Sequence, residues 1–420
     1  MSAIPQWLHT SHNHTHLERV IVELSKRERI RDAARSQSRR RAMPSRTTRR
    51  SKVASMLANS VPGISGPEEA LVRYYAVSAG CDDEAQRCNR YYHLEPYDRT
   101  RVVVGEGYEG HLESGQEQIE KIGTNTGGRY LNANWVRELA GGKWWIATQA
   151  PLPNTAHTFL SLLLQPSTRP PESISVAAAE TYRTSRVRTI VQLTRNFESG
   201  TQKAHVYFPS EVGDHWAIRS EESHHAPPLR VRLLNSSNMD DAHCIISHVS
   251  ITPLTASGED MSEPIIFNHL LFHAWPDHGV PEVEERPKLL NFIRLVDQVN
   301  KDVSWIPHGH DLDPDPAIII GCSAGIGRTG SFIALASLMR AYGLMPSPSP
   351  SYTPAPLSPA PPPLPASPLG PLPEDLRDDM VAQEIDALRE QRPGMVQREE
   401  QILLIYEALA LAFIQHQHQP

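Results

Sequence analysis

Cysteine is scarce in this sequence. Cys81, Cys88, Cys244 and Cys322 are all there are among 420 residues. That is too few to staple a chain of this size, which excludes a disulfide-built secreted scaffold and points to a reducing compartment, the cytoplasm or nucleus. Long apolar runs are missing as well: none approaches the roughly 18 residues that a membrane span needs. The opening Met1-Ser2-Ala3-Ile4-Pro5-Gln6-Trp7 lacks the basic-then-apolar order of a secretory signal, so the glycosylation sequons at Asn13 and Asn235 carry no meaning. Histidines are plentiful, at His9, His12, His14 and His16 and at His224 and His225, but no cysteine or carboxylate accompanies them at zinc-site spacing. No metal or other cofactor is expected, and no internal repeat is visible.

What the chain does have is a hydrophobic content of 39%, enough for one sizeable core with tails rather than two full domains. Its net charge of -7 hides an asymmetry. The first 52 residues carry thirteen Lys and Arg against four acidic residues, leaving the remainder acidic. Within that basic part Leu17, Val20, Ile21 and Leu24 recur at helical spacing and predict an amphipathic helix over residues 16–36. The Ser/Thr-rich tract from Ser36 to Lys52, with Arg39-Arg40-Arg41 and Arg49-Arg50, reads as a disordered, solvated arm. Nuclear import or contact with an anionic surface is its functional alternative. No specific nucleic-acid partner is implied.

A second helix is predicted over Pro67–Ser78, with Pro67 in its first turn. Strands follow around Arg101–Val104, Trp144–Thr148, Thr189–Thr194, His205–Phe208, Leu229–Leu234, Cys244–Ile251 and Ile265–Phe272. Leu289–Val299 has the spacing of an amphipathic helix, and helices over Glu374–Glu390 and Glu399–His416 close the chain. Many strands followed by helices predict an α/β fold, a highly twisted mixed β-sheet flanked by helices. The sharpest break in composition is at residues 346–373, which hold thirteen of the 36 prolines. Such a segment cannot pack a core and is expected to be disordered or polyproline II. Its PxxP patterns offer a dock for an SH3- or WW-type partner; a passive insertion is the plainer reading. The expected organisation is residues 1–60 as helix and basic arm, 61–345 with 374–416 as a single catalytic domain, and 346–373 as an insertion in it. Gly105-Glu106-Gly107-Tyr108-Glu109-Gly110 matches GxGxxG, but no apolar helical stripe follows it, so it reads as a surface loop rather than a dinucleotide site.

The most informative stretch is Ala317-Ile318-Ile319-Ile320-Gly321-Cys322-Ser323-Ala324-Gly325-Ile326-Gly327-Arg328-Thr329-Gly330. An apolar strand delivers one cysteine to a Gly-rich loop, and the loop opens a helix with Phe332, Leu335 and Met339 on one face. A thiol there sits among backbone N–H groups at the positive end of a helix dipole, which favours the thiolate and binds phosphate. Gly325 and Gly327 allow close backbone approach to an anion. Arg328 offers a planar fork for two phosphate oxygens. Nucleophile, anion hole and clamp come from one short segment, and together they imply phosphoryl transfer to cysteine.

The nonapeptide Cys322–Gly330 resembles the Cys-x5-Arg signature of the classical protein tyrosine phosphatases, of non-receptor type. The resemblance extends over roughly residues 85–160, 186–342 and 385–412, and it implies that family's fold, with the phosphate-binding loop between a central strand and a helix. His273-Ala274-Trp275-Pro276-Asp277-His278-Gly279 resembles the mobile acid loop, so Asp277 is implied to protonate the departing tyrosine oxygen, with Trp275 supporting the loop. Asn89-Arg90-Tyr91 resembles the phosphotyrosine loop, whose ring, here Tyr91, lines a deep slot that rejects phosphoserine. Arg392-Pro393-Gly394-Met395-Val396-Gln397 with Gln401 resembles the loop that orients the hydrolytic water. Leu193–Lys203 resembles the segment whose glutamate, here Glu198, holds the arginine, and whose lysine, here Lys203, contacts the acid loop. Substrate phosphate is implied to lie on Ser323, Ala324, Gly325, Ile326 and Gly327, with the Thr329 hydroxyl on the sulfur. Tyr130–Trp135 and Ala147–Pro153 match as structural segments.

Three departures stand out. Gly321 replaces the histidine that usually precedes the cysteine, which predicts an altered rate rather than lost activity, because Arg328 and the backbone amides remain. His93 stands where the family has Asp or Asn, which leaves peptide preference open. Gln165–Thr184 interrupts a stretch the family builds as one helix leading into a strand. The implied activity is metal-independent hydrolysis of phosphotyrosine on proteins by a monomer, through a phosphocysteine intermediate. The alternative is an impaired phosphatase that binds phosphotyrosine or acts as a scaffold.

Overall fold

Along Ile318–Cys322 both faces are buried: Ile318 and Ile320 enter one apolar cluster and Ile319 the other. A strand that is apolar on both sides belongs between parallel neighbours with both faces covered, and this one lies inside a nine-stranded mixed sheet. The computed structural model describes residues 4–10, 13–43, 68–105, 128–171, 174, 185–221, 226–277, 279–304, 306, 312–345 and 364–418.

Its helices are α1 (Gln6–Thr10), α2 (His14–Ala42), α3 (Glu69–Tyr74), α4 (Asp83–Arg87), α5 (Ala156–Ser161), α6 (Arg286–Lys301), α7 (Gly327–Ala341), α8 (Met380–Gln391) and α9 (Glu399–Gln417). Its strands are β1 (Arg101–Val104), β2 (Arg129–Arg137), β3 (Trp144–Gln149), β4 (Thr189–Gln192), β5 (Phe197–Glu198), β6 (Thr201–Gln202), β7 (His215–Ile218), β8 (Leu229–Met239), β9 (Cys244–Pro253), β10 (Ile265–Phe272) and β11 (Ile318–Cys322). The order across the sheet is β1-β2-β3-β11-β4-β10-β9-β8-β7. Strands β3, β11, β4 and β10 run parallel, and the rest pair antiparallel. β5 and β6 form a separate hairpin, closed by Ser199 and Gly200 with φ of 46° and 74°. Two left-handed residues are what a tight two-residue hairpin turn requires.

One face of the sheet is covered by α1, α2 and α6 to α9, through Leu8, Leu24, Phe292, Phe332, Ile385 and Phe413. The other is covered by α5, through Phe159 and Leu160 against Ile146, Val249 and Phe267. Among the described residues no helix is long and apolar enough to cross a membrane.

Several elements differ from the sequence reading. Helix α2 continues through Arg39-Arg40-Arg41 to Ala42, so the first part of the basic tract is a packed helix and not a disordered arm. The reason is a stripe of arginines, Arg27, Arg31, Arg35 and Arg39, buried on one side of α2. Arg27 and Arg31 pair with Asp386, and Arg31 also with Glu390. Burial opposes the charge of Arg31, but Asp386 and Glu390 more than offset it and hold its pKa well above the ordinary arginine value. His205–Phe208 is extended without strand pairing: Tyr207 packs on Phe159 and His269 while Val206 is exposed, which gives a strand's alternation with no ladder. The helix foreseen at Pro67–Ser78 covers Glu69–Tyr74. That at Glu374–Glu390 restarts at Met380, where Asp379 accepts the Ala382 N–H as N-cap. β7 and the long β2 are strands that hydropathy does not announce, although Tyr130–Trp135 matches as a structural segment. After α5 the chain is held by an isolated bridge between Ser167 and Ser185, which sets the two ends of the Gln165–Thr184 interruption side by side. Residues 44–67, 106–127 and 346–363, which include most of the GxGxxG match and of the Pro-rich segment, lie outside the described residues. The end of the Pro-rich segment packs: Leu372 is buried, and the carbonyl of Gly370 accepts from Arg27 at 2.7 Å.

Candidate active site

Cys322 ends β11, and α7 begins five residues later at Gly327, so the thiol sits at that helix's N-terminus, where its dipole favours negative charge. The Cys322 side chain is buried and its Sγ accepts from the Gly325 N–H at 3.3 Å. Why that amide points at the sulfur follows from the far side of the loop. Arg392, at the end of α8, donates its Nη2 to the Ala324 carbonyl at 3.1 Å and its Nε to the Gly325 carbonyl at 2.7 Å. In a planar trans peptide the N–H points opposite to the C=O. Pulling these two carbonyls back turns the N–H groups of Gly325 and Ile326 forward, into the cradle. Arg392 is 1% exposed and its other donors go to Asn134 and Asn132 Oδ1, at 2.8 and 3.0 Å. Among the partners described for it none is a carboxylate, and burial pulls its pKa down to about 10. Motif resemblance by itself assigns Arg392 no role. An arginine directly before Pro-Gly at the end of an apolar helix is the available signal.

Two glycines let the loop close against β3. Gly325 is left-handed (φ 70°), and a Cβ there would overlap the Thr148 carbonyl. A Cβ on Gly321 would come to 2.6 Å from the same oxygen. The histidine expected at 321 therefore has no room here unless β3 moves.

Arg328 gathers the surrounding elements. Its Nη1 and Nη2 donate to Glu198 Oε1 and Oε2 at 2.7 and 2.8 Å, and Nη1 also donates to the Leu193 carbonyl at 3.0 Å. Nη2 further reaches the carbonyls of Pro276 and Asp277, at 2.9 and 3.3 Å. Burial works against the charge of Arg328, but the Glu198 hydrogen bonds and the nearby negative groups raise its pKa above the ordinary arginine value. Glu198 is itself fixed by the Arg195 N–H and the Thr194 hydroxyl, so the fork is oriented before any ligand arrives.

Asp277 lies 2.8 Å from Lys203 Nζ. That hydrogen bond is the main cause that draws the Asp277 carboxyl down to about 2. Trp275, 4% exposed, packs edge-on to Phe272 and donates its indole N–H to the Gly279 carbonyl across the same loop. His278 lies outside the described residues.

On the other rim Tyr91 and Ser323 hydroxyls are 2.7 Å apart, and Ser323 Oγ donates to the Lys203 carbonyl at 2.8 Å. With that proton committed, Tyr91 is the donor to Ser323. The loop bearing Tyr91 is pinned by Arg90, whose N–H donates to Gln149 Oε1 and whose guanidinium reaches the carbonyls of Ala150 and Pro151. Tyr92 and His93 are exposed on its crest, and His93 is left-handed (φ 67°), a conformation Asn and Asp also tolerate.

The structure therefore brings together Cys322, Ser323, Ala324, Gly325, Ile326, Gly327, Arg328, Glu198, Lys203, Asp277, Trp275 and Tyr91. Gln401 is buried beside the loop, its Nε2 2.8 Å from where a Cβ on Gly327 would sit. Gln397 is exposed, one residue past Val396, whose N–H donates to the Ile326 carbonyl at 3.2 Å. Thr329 departs from expectation: its Oγ1 is buried without a hydrogen-bond partner and is not on the sulfur, which takes the Gly325 amide instead. Among the described residues no group of His, Cys, Asp and Glu is arranged to hold a metal.

The family model described as protein-tyrosine phosphatase matches residues 85–169 and 182–344, and the break falls within the Gln165–Thr184 interruption. The tyrosine-protein phosphatase non-receptor type 7 of Homo sapiens is 30% identical over 249 residues, 59% of this chain and 50% of that protein. The receptor-type tyrosine-protein phosphatase eta of Mus musculus is 29% identical over 256 residues, 60% of this chain and 15% of that protein. The chain thus spans half or less of the length of these curated relatives. Among solved structures, the catalytic domain of human protein tyrosine phosphatase non-receptor type 18 aligns with a TM-score of 0.52 at 19% identity, covering 87% of this chain and 95% of that one. A complex of that enzyme with HER2 phosphopeptides aligns with a TM-score of 0.51, at 20% identity, over 80% of this chain and 92% of that one. These alignments show the shared fold.

Proposed function

Because this chain belongs to the protein-tyrosine phosphatase family, we propose that it hydrolyses phosphotyrosine on proteins without a metal, through a phosphocysteine intermediate. The observation that carries this reading is the state of Arg328. Glu198 holds it in a bidentate pair while it also bonds the backbone of the loop bearing Asp277, so anion clamp and acid are coupled above one nucleophile.

In the first step the Cys322 thiolate attacks phosphorus and the bond from phosphorus to the tyrosine oxygen breaks. The amides of Ser323 to Arg328 carry the equatorial oxygens together with Arg328 Nε and the Nη2 hydrogen that rests on the Pro276 carbonyl, while Glu198 keeps the outer edge of the guanidinium. Asp277 gives its proton to the leaving phenol oxygen. In the second step a water oriented by Gln397, with Gln401 behind it, attacks phosphorus. Asp277 takes a proton from that water, the S–P bond breaks and phosphate leaves. Free Asp277 is held ionised by Lys203, so the acid must be made by binding: the negative charge of a bound phosphoester opposes the pull of Lys203 and raises the carboxyl toward protonation. Tyr91 supplies the wall of the slot. The Thr329 hydroxyl, unpartnered at rest, bonds to the sulfur in the second step and eases its departure.

Four unpaired cysteines and a nucleophilic thiol favour a reducing compartment, the cytoplasm or nucleus. The reading includes a monomer acting in signalling, with residues 346–363 as the place for any SH3- or WW-type partner. The test is hydrolysis of a phosphotyrosine peptide by purified protein in chelator. Turnover in the wild type and none in Cys322→Ser supports the reading. Peptide binding with no turnover in the wild type would replace it with a phosphotyrosine-binding module.

A further inference from the structure

The loop of Tyr91 is held at two ends by different parts of the chain. Its beginning is tied to β3 through Arg90 and Gln149. Its end is tied to α2, an element outside the residues that the family model matches. Glu95, 2% exposed, accepts from Arg39 Nε at 3.2 Å on each carboxylate oxygen and from Arg39 Nη2 at 2.9 Å. Gln86 Nε2 adds a bond to Oε1 at 3.1 Å, and the Glu95 stem packs on Gly80, where a Cβ would lie 2.8 Å from its own. One turn earlier on α2, Arg35 donates to the Tyr97 hydroxyl at 2.9 Å, and Ser38 Oγ accepts from the Val77 N–H at 3.2 Å. The last turns of α2 thus grip both Glu95 and Tyr97, while Arg27 and Arg31 anchor the helix to α8.

We infer that Arg39 is a positioning residue for substrate selection: by fixing Glu95, helix α2 sets the height of Tyr91 over the cradle and so the depth of the slot. This rests on the reading of Tyr91 as the slot wall. The physical ground is asymmetric. A buried carboxylate whose cation is removed must gain water or a proton, and Glu95 sits on a loop with an exposed crest, so the loop moves before the sheet does. Once it moves, the Tyr91–Ser323 bond opens and a shorter phosphoserine side chain reaches Cys322.

The test compares kcat/KM on a phosphotyrosine peptide, on the same peptide with phosphoserine, and on a small aryl phosphate. Wild type is set against Arg39→Ala, Glu95→Gln, the charge-swapped pair Arg39→Glu with Glu95→Arg, and the control Arg41→Ala. Arg41 pairs with Glu69 in solvent, at 47% and 75% exposure, where a pair contributes little. Expected is at least a tenfold fall in the phosphotyrosine-to-phosphoserine ratio for Arg39→Ala and Glu95→Gln. It should come mainly through KM for the phosphotyrosine peptide, with a smaller change on the aryl phosphate, partial recovery in the swapped pair and no change in Arg41→Ala. An unchanged ratio in folded Arg39→Ala, or equal losses on all three substrates, would overturn the inference. Should Arg39→Ala not fold, the near-isosteric Glu95→Gln takes its place, and an unchanged ratio there overturns the inference equally. A wild type inert on phosphotyrosine would instead remove the functional reading beneath it.

Discussion

At the scale of single residues, the site works by making one group answer to several neighbours. Asp277 answers to Lys203, which holds its carboxyl at about 2. A carboxyl lowered on folding stabilises the protein above its ordinary pKa and loses that contribution as pH falls toward about 2. In the proposed reaction the same shift is a burden, because Asp277 is there the acid and must be protonated when the phenol leaves. Lys203→Met removes the pull, so the alkaline limb of kcat/KM, which reports the free enzyme's acid, moves to higher pH. A limb that stays in place, or moves lower, would mean Lys203 does not tune Asp277. Gly321 answers to Thr148: with a Cβ only 2.6 Å from that carbonyl, Gly321→His should not restore a missing feature. It is expected to lower the melting temperature by several degrees and to reduce kcat at least tenfold on an aryl phosphate. A faster, equally stable variant would show that the strand yields at no cost. Cys322, Arg328 and Asp277 can all be picked out in the sequence because two short motifs carry them. Arg392 cannot, since its role depends on which way two peptide planes face, and that is settled by a partner almost seventy residues along the chain from Ala324 and Gly325.

At the scale of elements, α2 shows where periodicity misleads. Its apolar stripe, Val20 and Leu24, ends where arginines take over the buried side, and hydropathy alone sends arginine to solvent. The structure turns those arginines inward because α8 presents Asp386 and Glu390 there and Tyr75 donates to both Glu390 oxygens. Arg31 has no exposed side-chain surface, so Arg31→Leu leaves two buried carboxylates short of a cation. A loss of roughly 3–5 kcal/mol is expected from breaking such a pair, read by urea unfolding at pH 7. A loss under about 1 kcal/mol, the scale of a surface pair, would mean that α2 is only loosely docked. β11, β10 and α7 are legible because they are apolar with clear periods, whereas His205–Phe208 imitates a strand through packing alone.

At the scale of the whole molecule, four parallel strands place Cys322 at an interior strand end, and the loops after β10, β4 and α8 converge on it. A mixed sheet flanked by helices is readable from the pattern of apolar runs; that the basic N-terminal segment forms part of its wall is not, because its partners lie more than 350 residues away on α8. The proposed chemistry stands or falls on phosphate passing through Cys322. Rapid alkaline quench of Gln397→Ala, the variant expected to slow the water step, tests that passage after mixing with a radiolabelled phosphotyrosine peptide, followed by peptide mapping of the label at alkaline pH. Label that survives alkali but is lost in mild acid, as an S–P bond requires, is predicted on the peptide containing Cys322, present in Gln397→Ala and absent from Cys322→Ser. Phosphate release by the wild type with no protein-bound label in any variant would contradict it.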